Sequence, residues 1–586
     1  MKITSILSGF YAALPRTTRP AILTAGFIFF AAAAGLAQDN PLFRHLPPDA
    51  GSIYHINIPV ITAKLSWQDL AGLFPAVPGH SGQDMIRISQ DPSRAGIDIQ
   101  QDLFVAATEK GAPDSVGFTT FILHLKDSAK WAAFLRQQTP GLRVRVHPGQ
   151  IRTASKDKMG AAWNKDLAVI VEVHPTSHPS QTSNAAPRSK TLPPSSSATQ
   201  ATAMARYTAL ALQRSLAALT GFETSFYTSD PVFRTGFSDD ADLHIWTPQG
   251  EGLSFLARQV THSDPFAAIP GKRPAAAKSK TYSLISLRFE PGRIILRSSA
   301  VLTPEDSDLL TKFGGRPLDT DLIAHLPKAN ILALVNLHFD PSVIAGVLDK
   351  YKYRTKVDSK LTAKGLALDT LLHIFKGDFL LAAIDPAHDQ AASDSTPSRR
   401  QPSLFFVATI DDLSAYKKLT SQFGLLKDST DTGNPSAPAD SSANGTGSGD
   451  SAVHKIDWLS KLKSAHTLRD HILVISDTKS RTDAFFNNTE KRNTDFVTEH
   501  MKDNPFSIWI DFKSVGDFLQ HMNSKGGGPQ EPPSEKNRQL LHIFSALDQL
   551  IISGGAIHNG QIETYIELKM TDPSENSLRS LFKLFH

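Results

Sequence analysis

The chain has 586 residues, 40% of them hydrophobic and 20% charged, too long for a single small domain and too apolar for a wholly disordered chain. Of the formal net charge of +4, Lys2, Arg16 and Arg19 near the N-terminus supply +3, so the body lacks the basic field that nucleic-acid binding requires. The absence of cysteine excludes disulfides, thiolate metal sites, thiol nucleophiles and a lipidated N-terminal cysteine.

The first residues have the layout of a secretory signal peptide. Lys2, Arg16 and Arg19 precede an uncharged apolar run from Ala21 to Leu36, and polar Gln38-Asp39-Asn40 comes after Ala37. Small residues at Gly35 and Ala37 suit a signal peptidase, which predicts removal of residues 1–37. The apolar run is shorter than the ~20 residues that a spanning helix needs. The alternative is an uncleaved inner-membrane anchor formed by residues 21–36. In either case the body is expected outside the cytoplasm: in the periplasm, at the outer envelope or secreted. No later segment is apolar enough to predict another membrane span.

From His45 onward the chain contains itself twice. HLPPDAGSIYHINIPVI, from His45, is echoed by HLPKANILALVNLHFDPSVI, from His325, with Ile56-Asn57-Ile58 matching Val335-Asn336-Leu337. In each copy a strand should feed a helix, one with apolar Val60, Ala63, Trp67, Leu70 and Phe74, the other with Ile344, Val347, Leu348 and Tyr351. Asp102-Leu103-Phe104 then answers to Asp378-Phe379-Leu380, and a further strand in each copy ends at a helix cap, Asp127 or Asp411. Asp166-Leu167-Ala168 pairs with Asp470-His471-Ile472, and Leu243-His244-Ile245-Trp246 with Phe506-Ser507-Ile508-Trp509.

Both copies close on a hairpin, turning at Glu290-Pro291-Gly292-Arg293 and at His558-Asn559-Gly560-Gln561. A helix with proline at its first position should follow each, at Thr303-Pro304 and at Asp572-Pro573. Their buried residues should be Leu309, Leu310 and Phe313 in one, and Leu578, Leu581, Phe582 and Phe585 in the other. The fold class expected is α+β: two tandem copies, residues 45–313 and 325–586, of a mostly antiparallel sheet-plus-helix module. Ser/Thr/Pro/Gly-rich tracts should be disordered inserts, at about 174–203 in the first module and about 385–403 and 427–452 in the second.

The leader, the HLPPDAGSIYHIN opening with its echo, the Ile-Trp strands and the paired hairpins together resemble a domain-of-unknown-function family. It comprises large secreted or envelope-associated proteins of Bacteroidota that begin with a Pro-Ala/Asp-Ala-x-x-Val-x-x-Ile-Asn-like strand. The resemblance covers most of the chain after the leader and implies an exported protein. Many members look like lipoproteins with a leader cysteine, which this chain lacks. The family has no accepted catalytic residues to carry over.

No catalytic motif stands out. The 21 histidines include no HExxH, and His466 and His471 are spaced wrongly for one helical face. Gly526-Gly527-Gly528 lies in a polar loop rather than between a strand and a helix, and Ser448 lies in a low-complexity tract that could not position a nucleophile. Ser238-Asp239-Asp240-Ala241-Asp242 concentrates carboxylates but lacks a calcium loop's central glycine and final glutamate, and reads as a solvated turn. Asp102 with Asp378, and Asp166 with Asp470, are candidates for paired-acid glycoside cleavage, though each also reads as a turn residue before a strand. Trp246 and Trp509 read as strand core rather than sugar platforms.

Catalytic residues are therefore unassigned, and no cofactor or metal is expected. The sequence reads as an exported envelope or surface protein, non-enzymatic, with a binding or structural role, its partner an envelope or extracellular macromolecule, protein or glycan. The alternatives are an extracytoplasmic hydrolase acting on envelope or extracellular polymer, and a membrane-anchored assembly factor.

Overall fold

A computed structural model describes residues 40–66, 92–108, 116–139, 141–175, 197–222, 230–237, 239–248, 282–311, 320–327, 330–350, 352–363, 365–385, 402–422, 465–488, 494–524 and 535–585. The leader lies outside these residues, as do Trp67, Leu70 and Phe74 of the first expected helix and most of the expected inserts.

In the first module a short 3-10 turn, Pro41–His45, is capped by Asn40. Strand β1 (Ser52–Ile56) feeds helix α1 (Ile58–Lys64), whose cap, Asn57, accepts from Val60 N. Next come β2 (Leu103–Thr108), β3 (Val116–His124), α2 (Ser128–Gln138), β4 (Arg143–Val146), β5 (Arg152–Lys156), β6 (Met159–Trp163) and β7 (Leu167–Pro175). They are followed by α3 (Ser197–Thr220), α4 (Pro231–Gly236), β8 (Leu243–Pro248), β9 (Tyr282–Glu290) and β10 (Arg293–Val301). Every pairing is antiparallel, in the order β4-β5-β6-β7-β3-β2-β1-β8-β9-β10.

The second repeat runs α5 (Pro304–Thr311), α6 (Thr320–Ala324), β11 (Ile331–His338), α7 (Ser342–Lys350), α8 (Arg354–Thr362), α9 (Leu368–Ile374), β12 (Phe375–Ile384), β13 (Ser403–Ile410) and α10 (Leu413–Gln422). It continues through β14 (His466–Arg469), β15 (Ile472–Ser476), α11 (Lys479–Asn487), α12 (Glu499–Lys502), β16 (Phe506–Asp511), α13 (Phe512–Ser524), α14 (Glu535–Ala546), β17 (Leu547–His558), β18 (Gln561–Met570) and α15 (Ser577–Phe585). The order β14-β15-β13-β12-β11-β16-β17 is again antiparallel throughout, with β18 returning beside β17. This is the strand order of the first module from β6 to β10. The protein is thus α+β and built from two copies of one topology.

Register fixes which residues correspond, because a one-residue slip would turn every side chain to the opposite face. Trp246 stands opposite Ile53 and Trp509 opposite Leu334, so Ile53 answers to Leu334 and His55 to Asn336. The sequence match of Asn57 to Asn336 is therefore two residues out; Asn57 answers to His338. Two further matches shift by one. The cap equivalent to Asp127 is Asp412, which accepts from Ala415 N, rather than Asp411. Asp166 and His471 occupy one ladder position, their carbonyls accepting from Leu125 N and Ile410 N, so Asp470 is not the partner of Asp166.

Two helical expectations also change. Ile344 is exposed on α7, where Val343 is buried instead. Helix α3 starts at Ser197, inside the expected 174–203 insert, and β7 extends to Pro175 at the other end of it.

By packing, the chain forms two compact units: residues 1–303 with 534–546 and 567–586, and residues 304–533 with 547–566. These bounds differ from 45–313 and 325–586, because α5 joins the second unit while α14 and α15 join the first. In the first unit the sheet has a core on each face. One comprises Ile53, Phe104, Ile122, Val169 and Trp246 beneath α3 and α4; the other comprises Tyr54, Val105, Phe121 and Leu123 beneath α1 and α2. In the second unit Leu334, Leu380, Phe405, Val407 and Trp509 pack beneath α6, α11 and α12.

Helix α15 starts at Ser577, four residues after the Asp572-Pro573 start expected, and Asn576 caps it by accepting from Leu578 N. Asn576 also donates to Phe289 O at 3.0 Å, and Gly292 N donates to Glu575 O at 2.8 Å. These bonds hold the C-terminal segment on the β9–β10 turn while Leu578 enters the first unit's core. Gly292 has φ +67°, and a Cβ there would stand 2.4 Å from Pro573 Cα; Gly560 in the other hairpin has φ +74° and open space around it. Gly560→Ala is expected to cost about 1 kcal/mol of left-handed strain, and Gly292→Ala at least about twice that, because backbone must also move. Urea denaturation of the two variants measures the difference.

Candidate functional site

Among the described residues of the first unit, a row of ionisable side chains lies where β1 meets β8. His55 and His244 are cross-strand partners, both buried, with their Nδ1 atoms 3.0 Å apart. His244 Nε2 lies 2.5 Å from Asp239 Oδ1, and Arg288 donates to the other oxygen of Asp239 at 2.8 Å. On the far side, His55 Nε2 lies 3.1 Å from Asp102 Oδ2, within ion-pair range but out of line for a hydrogen bond. Asn40 donates to the same oxygen at 3.0 Å. Phe104 stacks on His55 at 4.6 Å between centroids, and Phe237 packs against both imidazoles. The result is a buried row, Asp102–His55–His244–Asp239, with a partly exposed carboxylate at each end.

Burial holds His244 below the ordinary histidine range, against the pull of Asp239. Burial also opposes ionisation of Asp239, but the hydrogen bonds from His244 and Arg288 outweigh it and hold that carboxyl well below the usual range. The segment 239–242 is therefore a solvated turn only in its first half, where Asp239 and Asp240 are exposed and paired with Arg288. Asp242 is fully buried, 2.6 Å from Lys64 Nζ, and accepts from Phe289 N at 2.7 Å. Burial raises its pKa despite the lysine.

The second unit places different chemistry at the same register. Asn336 answers to His55 and Ser507 to His244, with Ser553 opposite Ser507. All three are buried, and Asn336 Nδ2, Ser507 Oγ and Ser553 Oγ have no hydrogen-bond partner among the described residues. Asp378, the equivalent of Asp102, instead bonds His338 Nδ1 and accepts from Thr409 Oγ1 at 2.7 Å. Asp102 and Asp378 are thus histidine partners, each in its own unit, rather than turn residues.

Asp166 and Asp470 do occupy turns; Asn164 Oδ1 accepts from Asp166 N, and Asp470 and His471 both have positive φ. His466 lies on β14, whereas His471 is tied to Ile410 O at 2.9 Å, so the two are not brought together. Trp246 and Trp509 are both core residues. Gly526–Gly528, Ser448 and Ser238 lie outside the described residues. Among the described residues, no group of three or more His, Asp or Glu side chains could hold a metal.

A second feature is apolar. Leu381 and Leu404, on neighbouring strands β12 and β13, are 43% and 44% exposed, beside half-buried Val335, Phe406 and Ile508. At the same register the first unit has Val105 at 0% and Thr119 at 2%, under its closed second core. Sequence reasoning missed both features. The histidines meet only through a pairing that spans 189 residues, and strand alternation marks an apolar face without saying whether helices cover it.

No known protein family matches the chain, and no curated protein matches it. Solved structures of TP0453 in crystal forms IV, III and I are similar to part of it, at 10%, 8% and 8% identity, each with a TM-score of 0.25. They cover 47%, 50% and 46% of this chain and 85%, 89% and 81% of their own.

Lys64→Met would leave the buried Asp242 carboxylate without its cation and is expected to destabilise the protein by about 3–5 kcal/mol. Adding Asp242→Asn should recover most of that loss, because the remaining amide needs no counter-ion. Denaturant midpoints of the single and double variants provide the measurement.

Proposed function

We propose that the protein is a non-enzymatic component of the cell envelope or surface that binds a protein partner through the β12–β13 face of its second unit. The observation that carries this reading is the exposure of Leu381 and Leu404 where the twin module has the buried Val105 and Thr119. Covering what remains exposed of each leucine would contribute roughly 1 kcal/mol. The chemistry of the face favours a protein partner over a glycan, since its exposed residues are aliphatic leucines and the phenylalanines beside them, Phe379 and Phe406, are half-buried against one another. The first unit indicates what fits: there α1 and α2 contribute Ile61, Trp131 and Leu135 over the corresponding face, whereas in the second unit α9 and α10 cover that face around Ile410 and Leu473 and leave Leu381 and Leu404 uncovered. An amphipathic helix of the partner would fill the same role.

The hydrolase alternative has less support, because among the described residues the histidines in close contact with acids, His55, His244 and His338, are buried, and half-buried His174 stands 4.0 Å from Glu172. Export rests on the leader and on the family resemblance. Among the described residues no helix is long and apolar enough to cross a membrane. Release, as opposed to anchoring by residues 21–36, predicts a mature N-terminus at Gln38, which mass spectrometry of the purified protein reads directly.

The binding reading is tested by placing a photo-crosslinking amino acid at position 381, and separately at the exposed Lys417, in intact cells. A discrete protease-sensitive adduct at 381, absent at 417 and abolished by Leu404→Glu, is expected. Identical adducts at both positions, no adduct at 381, or a protease-resistant polysaccharide adduct would overturn the reading.

A further inference from the structure

We infer that the outer edge of the first unit, strand β4, takes up an extended acidic polypeptide as one more antiparallel strand of the sheet. Strand β4 ends the strand order of that unit and, among the described residues, pairs with β5 alone. Its register fixes which backbone groups are left over. His147 N donates to Ile151 O at 2.7 Å, which makes His147 and Ile151 a hydrogen-bonded pair. Such pairs alternate along an antiparallel ladder, so Arg145 with Thr153 and Arg143 with Ser155 are bonded too, while Val144 and Val146 turn their N–H and C=O groups away from β5. Those outward groups match another extended backbone.

The side chains select what that backbone carries. Arg143 and Arg145 are exposed on one face of the strand, and neither has an ion pair among the described residues. Val146, on the other face, is 71% exposed. From Arg136 to Lys158 the chain has Arg136, Arg143, Arg145, Arg152, Lys156 and Lys158 against one acid, Asp157, so the field at this edge is positive although the whole chain is nearly balanced. An incoming strand fits best with a carboxylate opposite each arginine and an apolar side chain opposite each valine. The carboxylates then fall in pairs without mutual backbone bonds, where side chains approach most closely. Charge on an edge strand guards against chance pairing. Here it repels a basic strand or the β4 of a second copy, and admits an acidic one. An anionic polysaccharide would neutralise the arginines but leave the outward N–H and C=O groups without a ladder.

The twin module shows that the sheet does not need this hairpin. The second unit's order starts at β14, which answers to β6, so among the described residues β4 and β5 have no counterpart there. The arginine of β14, Arg469, is already engaged: it lies 3.4 Å from Asp483 and over the ring of Phe486. The added hairpin thus gives the first unit an open basic edge that the second lacks. This surface is independent of the β12–β13 face, which belongs to the second unit.

The test uses the purified full chain and a fluorescein-labelled peptide of alternating glutamate and valine, with binding read by anisotropy. Saturable binding that weakens as salt is added is expected. The charge reversal Arg143→Glu/Arg145→Glu should weaken it about tenfold and favour a peptide of alternating lysine and valine instead. N-methylation of the peptide's valines, which would stand opposite Val144 and Val146 and donate to them, should abolish binding to the wild type; this arm holds whatever the variant does. Absence of saturable binding to the wild type, or indifference to charge reversal, would overturn the inference. So would equal binding of the N-methylated peptide, the mark of a plain polyanion site.

Discussion

The antiparallel register of three central strands decides what each unit can be. β1 lies between β2 and β8, and β11 between β12 and β16. Because side chains alternate between faces, this register sends Ile53, His55, Phe104, His244 and Trp246 to one layer and Tyr54 and Val105 to the other. The same register in the second unit sends Leu334, Asn336, Leu380, Ser507 and Trp509 inward. A single slip would turn both tryptophans out of the cores they fill and separate the histidines.

Within that shared frame the units have diverged in two ways. The first has closed its second face with helices and built an ionisable row through the opposite layer. The second keeps small polar groups in the row and, with α9 and α10 covering its second face only around Ile410 and Leu473, leaves Leu381 and Leu404 exposed. Exposed aliphatic surface lowers stability relative to burial, which is why the open face suits a partner. Neither feature is needed to hold the sheet, since the twin module does without each.

Much of the architecture was legible in the sequence. Alternating strands around Pro291-Gly292 and Asn559-Gly560 announced both hairpins, since those turns depend on residues that accept positive φ. The two Ile-Trp strands fall at the same topological position. Register was not legible, because apolar strands resemble one another when shifted: Asn57 and Asn336 look alike but stand two positions apart in the ladder. Asp411 and Asp412 are adjacent, and only the hydrogen bond to Ala415 N tells which one caps the helix. Helix α3 was hidden because its first turns continue the Ser/Thr-rich tract before it, and its Ala- and Leu-rich face becomes core only against β6 and β7. The histidine row needed the β1–β8 pairing, which no local pattern encodes.

The claim on which the rest stands is that both units share one register, and the natural absence of cysteine permits a direct measurement of it. Cysteine pairs introduced at Tyr54 with Ile245, and separately at Val335 with Ile508, face each other across equivalent strands. Mild oxidation should close both disulfides rapidly, while the slipped pairs Tyr54 with Trp246 and Val335 with Trp509 stay reduced. Rapid closure of a slipped pair in either unit, with its in-register pair left open, would contradict the account.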